Sequence, residues 1–316
     1  MSLSAVIATM NRPDDLKKAL DSLAAQTRPP DEVLIVDQST DERTRRLAEE
    51  CRAALGSRGT GLRYLYQEEK SLVKARNRAL SETRHPIVSF LDDDIVLEPD
   101  YYEKVLGFLA AHPDVGAVSG NTFMRDPELK SFRWAVRRAI LRIFLIDRFD
   151  GRMTASGLGH PIVDRKIDRT LFVEMLPGCN MTYRRDRIGE LRFDEWFSGY
   201  GYREDAEFSY AVSRRTRLAM IPDAKLHHYY STQNRLDEAA LRRMSVRNYH
   251  YVARKHKRGP FVKTLFLYSL VGFLFIDLLE LVAGSGGPAK AEKLKAGLSA
   301  IRETLKAPSA GGRERP

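Results

Sequence analysis

The chain has 316 residues, 43% hydrophobic and 30% charged, which suits a folded protein holding one large α/β domain or two smaller ones and excludes disorder over most of its length. Two cysteines, Cys51 and Cys179, exclude a disulfide framework and favour a reducing compartment. The net charge of +10 points to an anionic partner: nucleotide, nucleic acid or a phospholipid surface.

The N-terminus enters residues 4–9 with no basic segment ahead of a long apolar run, so no signal peptide is expected. Residues 3–8 read as a buried strand, residues 11–15 as a turn, and Leu16, Ala19, Leu20 and Leu23 as the apolar stripe of a helix. A second buried strand covers 32–36 and is closed by Asp37-Gln38-Ser39-Thr40-Asp41. A helix through 45–55, a third strand at 62–65 and a helix at 71–80 follow. The strand at 87–91 then runs into Asp92-Asp93-Asp94, and Pro99 can open another helix. This alternation calls for a parallel sheet with crossover helices over residues 1–120.

In open α/β sheets ligands bind at the carboxyl ends of strands. Three such ends carry polar side chains: Thr9 with Arg12, Asp37 with Ser39, and Asp92 to Asp94. Each alone is compatible with turn chemistry; three on one rim point to a ligand. Three adjacent carboxylates repel one another, so they form either a solvated acidic turn or a seat for a divalent cation, Mg²⁺ or Mn²⁺. Asp37 can accept hydrogen bonds from a base or ribose, and Arg76 can pair with phosphate. Neither Gly-x-Gly-x-x-Gly nor a P-loop is present.

Val6 to Arg12, Val36 to Asp41, Ala75-Arg76-Asn77 and Leu91 to Asp94 fall in an order and spacing that resembles family 2 glycosyltransferases, inverting enzymes of the GT-A fold. The resemblance implies a GT-A nucleotide-binding domain with a mostly parallel sheet. It also implies nucleotide contacts from Thr9, Arg12, Asp37, Ser39, Arg76, Asn77, Asp92 and Asp93, and an Asp-x-Asp metal site at Asp92 and Asp94. It continues through Gly178-Cys179-Asn180, where Gly178 and Asn180 would line the donor and acceptor, and Glu204-Asp205, which opens a helix after a glycine-containing loop. There Asp205 would be the general base and Glu204 its neighbour. Residues 222–228 place His228 as a third metal ligand. Bare helix capping would also explain Glu204-Asp205. Two positions depart from the pattern: Ser71, where the family often has glycine, and Gln38, where a second acid is common.

Residues 132–144 mix apolar and basic side chains at helical spacing, and residues 156–160 read as a flexible loop able to cover a donor. From 235 to 263 the chain is a basic helix, followed by an apolar run at 264–276 that extends to 283 through Asp277 and Glu280. Those two acids are costly in hydrocarbon, which favours an interfacial or re-entrant helix over a spanning one. The other reading is a helix pair packed on the catalytic domain or on a second subunit. A short helix at 291–305 and a disordered end complete the chain. The expected division is a nucleotide-sugar half (1–120), an acceptor and catalytic half (121–232), a basic and apolar helical region (233–283) and a tail (284–316).

The resulting expectation is a metal-dependent glycosyltransferase at the cytoplasmic face of a membrane, moving sugar to a glycan or lipid-linked acceptor without nucleic acid as a partner. The alternatives are a sugar nucleotidyltransferase, which needs a Gly-rich basic loop where Thr9-Met10-Asn11-Arg12-Pro13 stands, and an inactive membrane-bound adaptor of the same fold.

Overall fold

The computed structural model describes residues 1–124, 132–163, 166–197, 199–229, 231, 236–282 and 287–306. It divides into two compact units, Met1–Asp126 with Pro161–Gln233, and Pro127–His160 with Asn234–Pro316. In chain order the elements are β1 (Leu3–Thr9), α1 (Pro13–Ala24), β2 (Glu32–Asp37), α2 (Arg43–Gly56), β3 (Gly61–Tyr66), α3 (Leu72–Glu82), β4 (Ile87–Leu91), β5 (Ile95–Leu97), α4 (Tyr101–Ala111), β6 (Val115–Met124) and α5 (Phe132–Ile143). They continue with β7 (Leu171–Val173), β8 (Asn180–Arg184), α6 (Arg185–Ile188), α7 (Glu204–Ser213), β9 (Arg217–His228), α8 (Glu238–His256), α9 (Val262–Val282) and α10 (Gly287–Lys306).

The first unit is the expected α/β body around a central sheet, with strands in the order β3-β2-β1-β4-β8-β6-β9-β5 and β7 beside β9. Its N-terminal half pairs wholly in parallel. The strands β1, β2 and β4 are short apolar runs buried along nearly their whole length, as helices on both faces require. Pro13 starts α1 where its missing N–H is harmless, and Asp14 and Asp15 complement the helix dipole. Past β4 the pattern changes. Antiparallel β8 wedges between β4 and β6, pairing Leu91 with Asn180, and β9 pairs antiparallel with β5, setting His228 against Ile95. These two registers bring residues from the second half of the chain to the acidic end of β4.

The joint between β8, β6 and α4 is held by Asn180, which is fully buried. Its Oδ1 accepts from the Ser119 hydroxyl, from Gly120 N–H at 2.8 Å and from Tyr101 OH at 3.1 Å, and its Nδ2 donates to Thr122 Oγ1 at 2.9 Å. Gly120 stands at a register shift against β9, where a Cβ would lie 2.4 Å from the Tyr101 ring and 2.5 Å from the Ala224 carbonyl. No side chain fits there.

The second unit is helical. Its core brings together Leu141 of α5, Val246 and Tyr249 of α8, Leu270 and Phe273 of α9, and Ala300 of α10. Of the apolar run expected at 264–283, residues 264–282 lie in one helix, α9, that continues through both acids, and 283 is outside the described residues. Asp277 is 1% exposed and accepts from Arg242 of α8, with Lys293 of α10 at 3.5 Å. Glu280 pairs with Lys293 at 2.7 Å and with Arg137 of α5. The acids therefore face protein cations, as buried charges must. Residues 156–160 are pinned within this unit. Thr154 and Ser156 bond each other, a Cβ on Gly157 would lie 2.6 Å from the Ala253 backbone, and Tyr249 OH meets His160 Nε2 at 2.7 Å. These are the contacts made by the loop that the sequence reads as flexible.

Because Asn180 serves four buried polar groups, its replacement strands donors and acceptors inside the sheet. Asn180→Ala is expected to lower unfolding free energy by about 2–4 kcal/mol. Urea denaturation measures this. An unchanged midpoint would show that the amide is dispensable to the sheet.

Candidate active site

Three strand ends and one helix start converge in the first unit. Thr9, closing β1, donates its hydroxyl to Asp93 Oδ2 at 2.7 Å, and Arg12 donates to Asp93 Oδ1 at 3.2 Å. Asp93 is 4% exposed, and burial pushes its carboxyl up to about 7 against the pull of Arg12 and Thr9. It is an internal anchor that fixes Arg12 beside the acidic turn, where the guanidinium also reaches Asp94 at 3.9 Å.

Asp92 and Asp94 sit on either side of that anchor. Their carboxylate oxygens and a ring nitrogen of His228 lie within 4.8 Å of one another. Two oxygens and an imidazole are donors that a small divalent cation accepts, so the cluster fits the expected Mn²⁺ or Mg²⁺. His228 Nε2 lies 2.9 Å from Asp94 Oδ1, and Ser231 N–H donates to Asp94 Oδ2 at 2.9 Å. Burial alone would raise the Asp94 carboxyl, but the His228 bond and charge, the Ser231 N–H and Arg12 outweigh it and bring it down to about 2. Burial likewise opposes charge on His228, and the bond to Asp94 overrides it, raising the imidazole to about 11. Without a cation the two form an ion pair. Asp92 is pushed up by burial and by Asp94, with Arg76 and His228 pulling the other way.

Arg76, from the middle of α3, is 3% exposed and joins this cluster to the helix start. It donates to Glu204 Oε1 at 2.7 Å, to Asp92 Oδ1 at 3.2 Å and to the Gly178 carbonyl at 3.0 Å. Its guanidinium lies over the Phe193 ring at 5.6 Å. Glu204, 5% exposed, opens α7; burial and then Asp205 push its carboxyl up to about 8, against Arg76. Asp205 is half-buried and differently held: Oδ2 accepts from Gly178 N–H at 2.8 Å and Oδ1 from its neighbour Ala206 N–H at 2.7 Å. A Cβ on Gly178 would stand 3.0 Å from Asp205 Oδ2, so glycine is what lets that N–H reach the carboxylate. The chain enters α7 through Gly199, Gly201 and Arg203, all with positive φ.

The remaining predicted residues lie elsewhere or face inward. Asp37 is fully buried at the end of β2, with Oδ1 taken by Ser39 N–H and hydroxyl and Oδ2 by Tyr64 OH at 2.7 Å. Ser39 Oγ also accepts from Asn11 N–H at 2.8 Å. Asp37 and Ser39 thus brace the rim. Asn77 does not join the cluster: its amide donates to the Phe193 carbonyl at 2.9 Å and accepts from Phe193 N–H at 2.8 Å. Asn180, as described above, is a sheet joint. Sequence reasoning missed Tyr64, whose only signal is its register beside Ile35 on β2, and Ser231, which offers a backbone N–H that no side-chain pattern reveals. The two departures from the family pattern meet each other, Gln38 Oε1 accepting from Ser71 N–H at 2.6 Å at the cap of α3.

The sequence profile described as Glycosyl transferase family 2 matches residues 4–187, more than half of the chain, and the chain belongs to that family. Validoxylamine A glucosyltransferase of Streptomyces hygroscopicus subsp. limoneus is 30% identical over 129 residues, 40% of this chain and 27% of that protein. Glucosyl-dolichyl phosphate glucuronosyltransferase of Haloferax volcanii is 26% identical over 144 residues, 43% of this chain and 45% of that protein. The matches span less than half the length of these curated relatives. Among solved structures, mannosyltransferase PcManGT from Pyrobaculum calidifontis, in complex with GDP-Man and Mn²⁺, superposes with a TM-score of 0.58 at 16% identity, covering 96% of this chain and 87% of that one. That likeness carries the GT-A fold.

The Asp94–His228 pair gives a signed pH dependence for metal-free protein. His228 is raised on folding, so its stabilisation is full below its ordinary 6.5 and is lost as pH climbs toward about 11. Asp94 is lowered, so its share is full above its ordinary 3.8 and is lost as pH falls through about 2. In chelator-treated protein, stability is expected to decline from about pH 6.5 to about pH 9 more steeply in the wild type than in His228→Gln. Parallel slopes in thermal unfolding would contradict the pairing.

Proposed function

We propose that this glycosyltransferase is inverting and metal-dependent, and that it moves a sugar from a nucleotide-diphosphate sugar to a hydroxyl of a glycan or lipid-linked acceptor in cell-surface polysaccharide synthesis. The observation that carries the reading is the link from the Asp92–Asp94–His228 cluster to Asp205: buried Arg76 bonds Asp92 and the Gly178 carbonyl, and Gly178 N–H bonds Asp205. The PcManGT complex, holding GDP-Man and Mn²⁺ on the same fold, supports a nucleotide-sugar donor and a divalent ion. A lipid-linked acceptor is in keeping with the name of the Haloferax relative, and the proposed attachment at the cytoplasmic face of a membrane draws on the apolar helix α9.

A bound Mn²⁺ or Mg²⁺, held by Asp92, Asp94 and His228, would neutralise charge on the departing diphosphate. The remaining work falls to side chains. Arg12, fixed by Asp93, adds positive charge beside the acidic turn. Asp205 takes the proton of the acceptor hydroxyl as that oxygen bonds the anomeric carbon, while the bond from that carbon to the diphosphate breaks and its electron pair leaves on the phosphate oxygen. Two backbone N–H groups hold the Asp205 carboxylate in place for this transfer. Glu204, tied to Arg76 and nearly sealed from solvent, positions the start of α7.

Two substitutions separate these roles. Asp94→Ala is expected to abolish metal-dependent nucleotide binding while the fold persists; calorimetry with nucleotide diphosphates, with and without chelator, measures it, and unchanged affinity would remove the metal assignment. Asp205→Asn keeps shape but cannot take a proton, so transfer should fall by at least ~10²-fold with donor affinity nearly unchanged. A mutant with near wild-type turnover would place the base elsewhere.

A further inference from the structure

The charge of this protein is divided unevenly. The helical unit, residues 127–160 and 234–316, holds 23 Lys and Arg against 10 Asp and Glu, so the remainder of the chain is slightly acidic although the whole is +10. The positive charge therefore does not belong to the nucleotide-binding unit. Among the described residues the same helical unit also carries most of the exposed large hydrophobics. On α9, Tyr268, Val271, Phe275, Leu278 and Val282 are spaced alternately by three and four, which sets them on one outward stripe. Val271 is 55% and Val282 76% exposed.

The stripe is widened by α5. Phe144, just past the end of α5, packs its ring on Tyr268 at 5.0 Å and near Phe275 at 6.2 Å, while Arg137 reaches Glu280, so the two helices run antiparallel side by side. On α5, Phe132, Val136 and Ile143 are exposed at intervals of four and seven. Exposed cations adjoin these helices along the chain: Arg142 beside Ile143 on α5, Arg254 and Lys255 at the end of α8, and Arg258 and Lys263 on either side of the exposed Phe261 at the start of α9.

We infer that the α5–α9 face docks on an anionic lipid leaflet, with the helices lying in the plane of the membrane and the cations meeting headgroup phosphates. This deepens the membrane reading above and stands independently of the sugar-transfer chemistry. Length alone would let α9 cross a bilayer, since 21 residues rise about 30 Å. Its other face forbids that: Asp277 is closed on Arg242 and Lys293, and Phe266, Leu270 and Phe273 are committed to the core of the helical unit. A helix with one face packed on protein and the other apolar, with cations adjoining it along the chain, is built for an interface. A second copy of the chain fits less well. Residues 264–276 contain no charged side chain to set register in a helix pair, and a twofold contact would oppose like charges.

The test adds purified full-length protein to preformed vesicles of phosphatidylcholine with or without phosphatidylglycerol, followed by flotation. The protein is expected to float with the anionic vesicles and to stay bound in high salt, because apolar insertion is not screened. The double variant Val271→Glu, Phe275→Glu should bind at least about tenfold more weakly, with donor binding unchanged and only a small fall in melting temperature from the lost Phe144–Phe275 contact. Arg142→Glu with Lys263→Glu should weaken binding to anionic vesicles and leave the residual binding to neutral ones unchanged. The inference is overturned if the protein ignores anionic vesicles. It is equally overturned if the protein sediments as a dimer that the Val271, Phe275 variant splits. Sugar transfer to a water-soluble acceptor should persist in that variant, so loss of docking and failure of the transfer reading give different results.

Discussion

A buried arginine needs partners on every side, and the site is arranged around the three that Arg76 has found. One guanidinium touches the end of β4 at Asp92, the turn before β8 at Gly178 and the first residue of α7 at Glu204. These lie 16, 102 and 128 residues away in sequence, so the ion network closes only when the antiparallel strands have threaded into the sheet. Removing one partner would leave an uncompensated charge in a dry setting, which is far costlier than the pair is favourable. Specifying the fold and assembling the candidate site are here the same event. The Phe193 ring beneath the guanidinium, stacked in turn on Phe208 at 3.9 Å, gives that charge an apolar floor.

Much of the fold was legible in the residues, but unevenly. The parallel half read clearly because its strands are short apolar runs and its helices carry one-sided stripes, both of which are local properties. The antiparallel pairings of β8 with β4 and of β9 with β5 escaped because they are non-local: nothing near Asn180 announces that it will face Leu91, nor near His228 that it will face Ile95, rather than a neighbour in sequence. Motifs name side chains without giving their direction. Asp92, Asp94 and His228 do gather, and Asp205 does stand beside Gly178. Asn77 and Asn180, read as ligand contacts, instead commit their amides to backbone and buried hydroxyls, since an amide that both donates and accepts is equally suited to a structural joint. Asp37 is braced by Ser39 and Tyr64 for a related reason: a buried carboxylate needs donors, whatever it later touches.

The acids of α9 follow the same logic on a larger scale. Counted along the chain, Asp277 and Glu280 interrupt an apolar segment and count against it as a spanning helix. In three dimensions they lie on the side that faces Arg242, Arg137 and Lys293, leaving the opposite side free of charge. A hydropathy average merges the two faces and loses the distinction that decides between crossing a bilayer and resting on it. Charge summed over the whole chain hides an equal distinction, because a slightly acidic sheet-bearing unit and a strongly basic helical one add to a moderate total.

Glu204 and Asp205 show how far environment, rather than residue type, assigns a role. They are adjacent acids on the first turn of one helix, where the dipole favours both. Glu204 points inward to a cation in a site so dry that its carboxyl rises to about 8; its oxygen is committed to Arg76, and it is nearly closed to solvent. Asp205 points to the glycine turn, takes its bonds from backbone N–H groups and keeps part of its surface open. An acceptor hydroxyl can reach only a carboxylate with an open side, and a proton is best received by one whose geometry is fixed by groups that do not themselves titrate. Both conditions favour Asp205 as the base of the proposed transfer. The glycine at 178 is what makes them compatible, since any larger residue would push the N–H and the carboxylate apart.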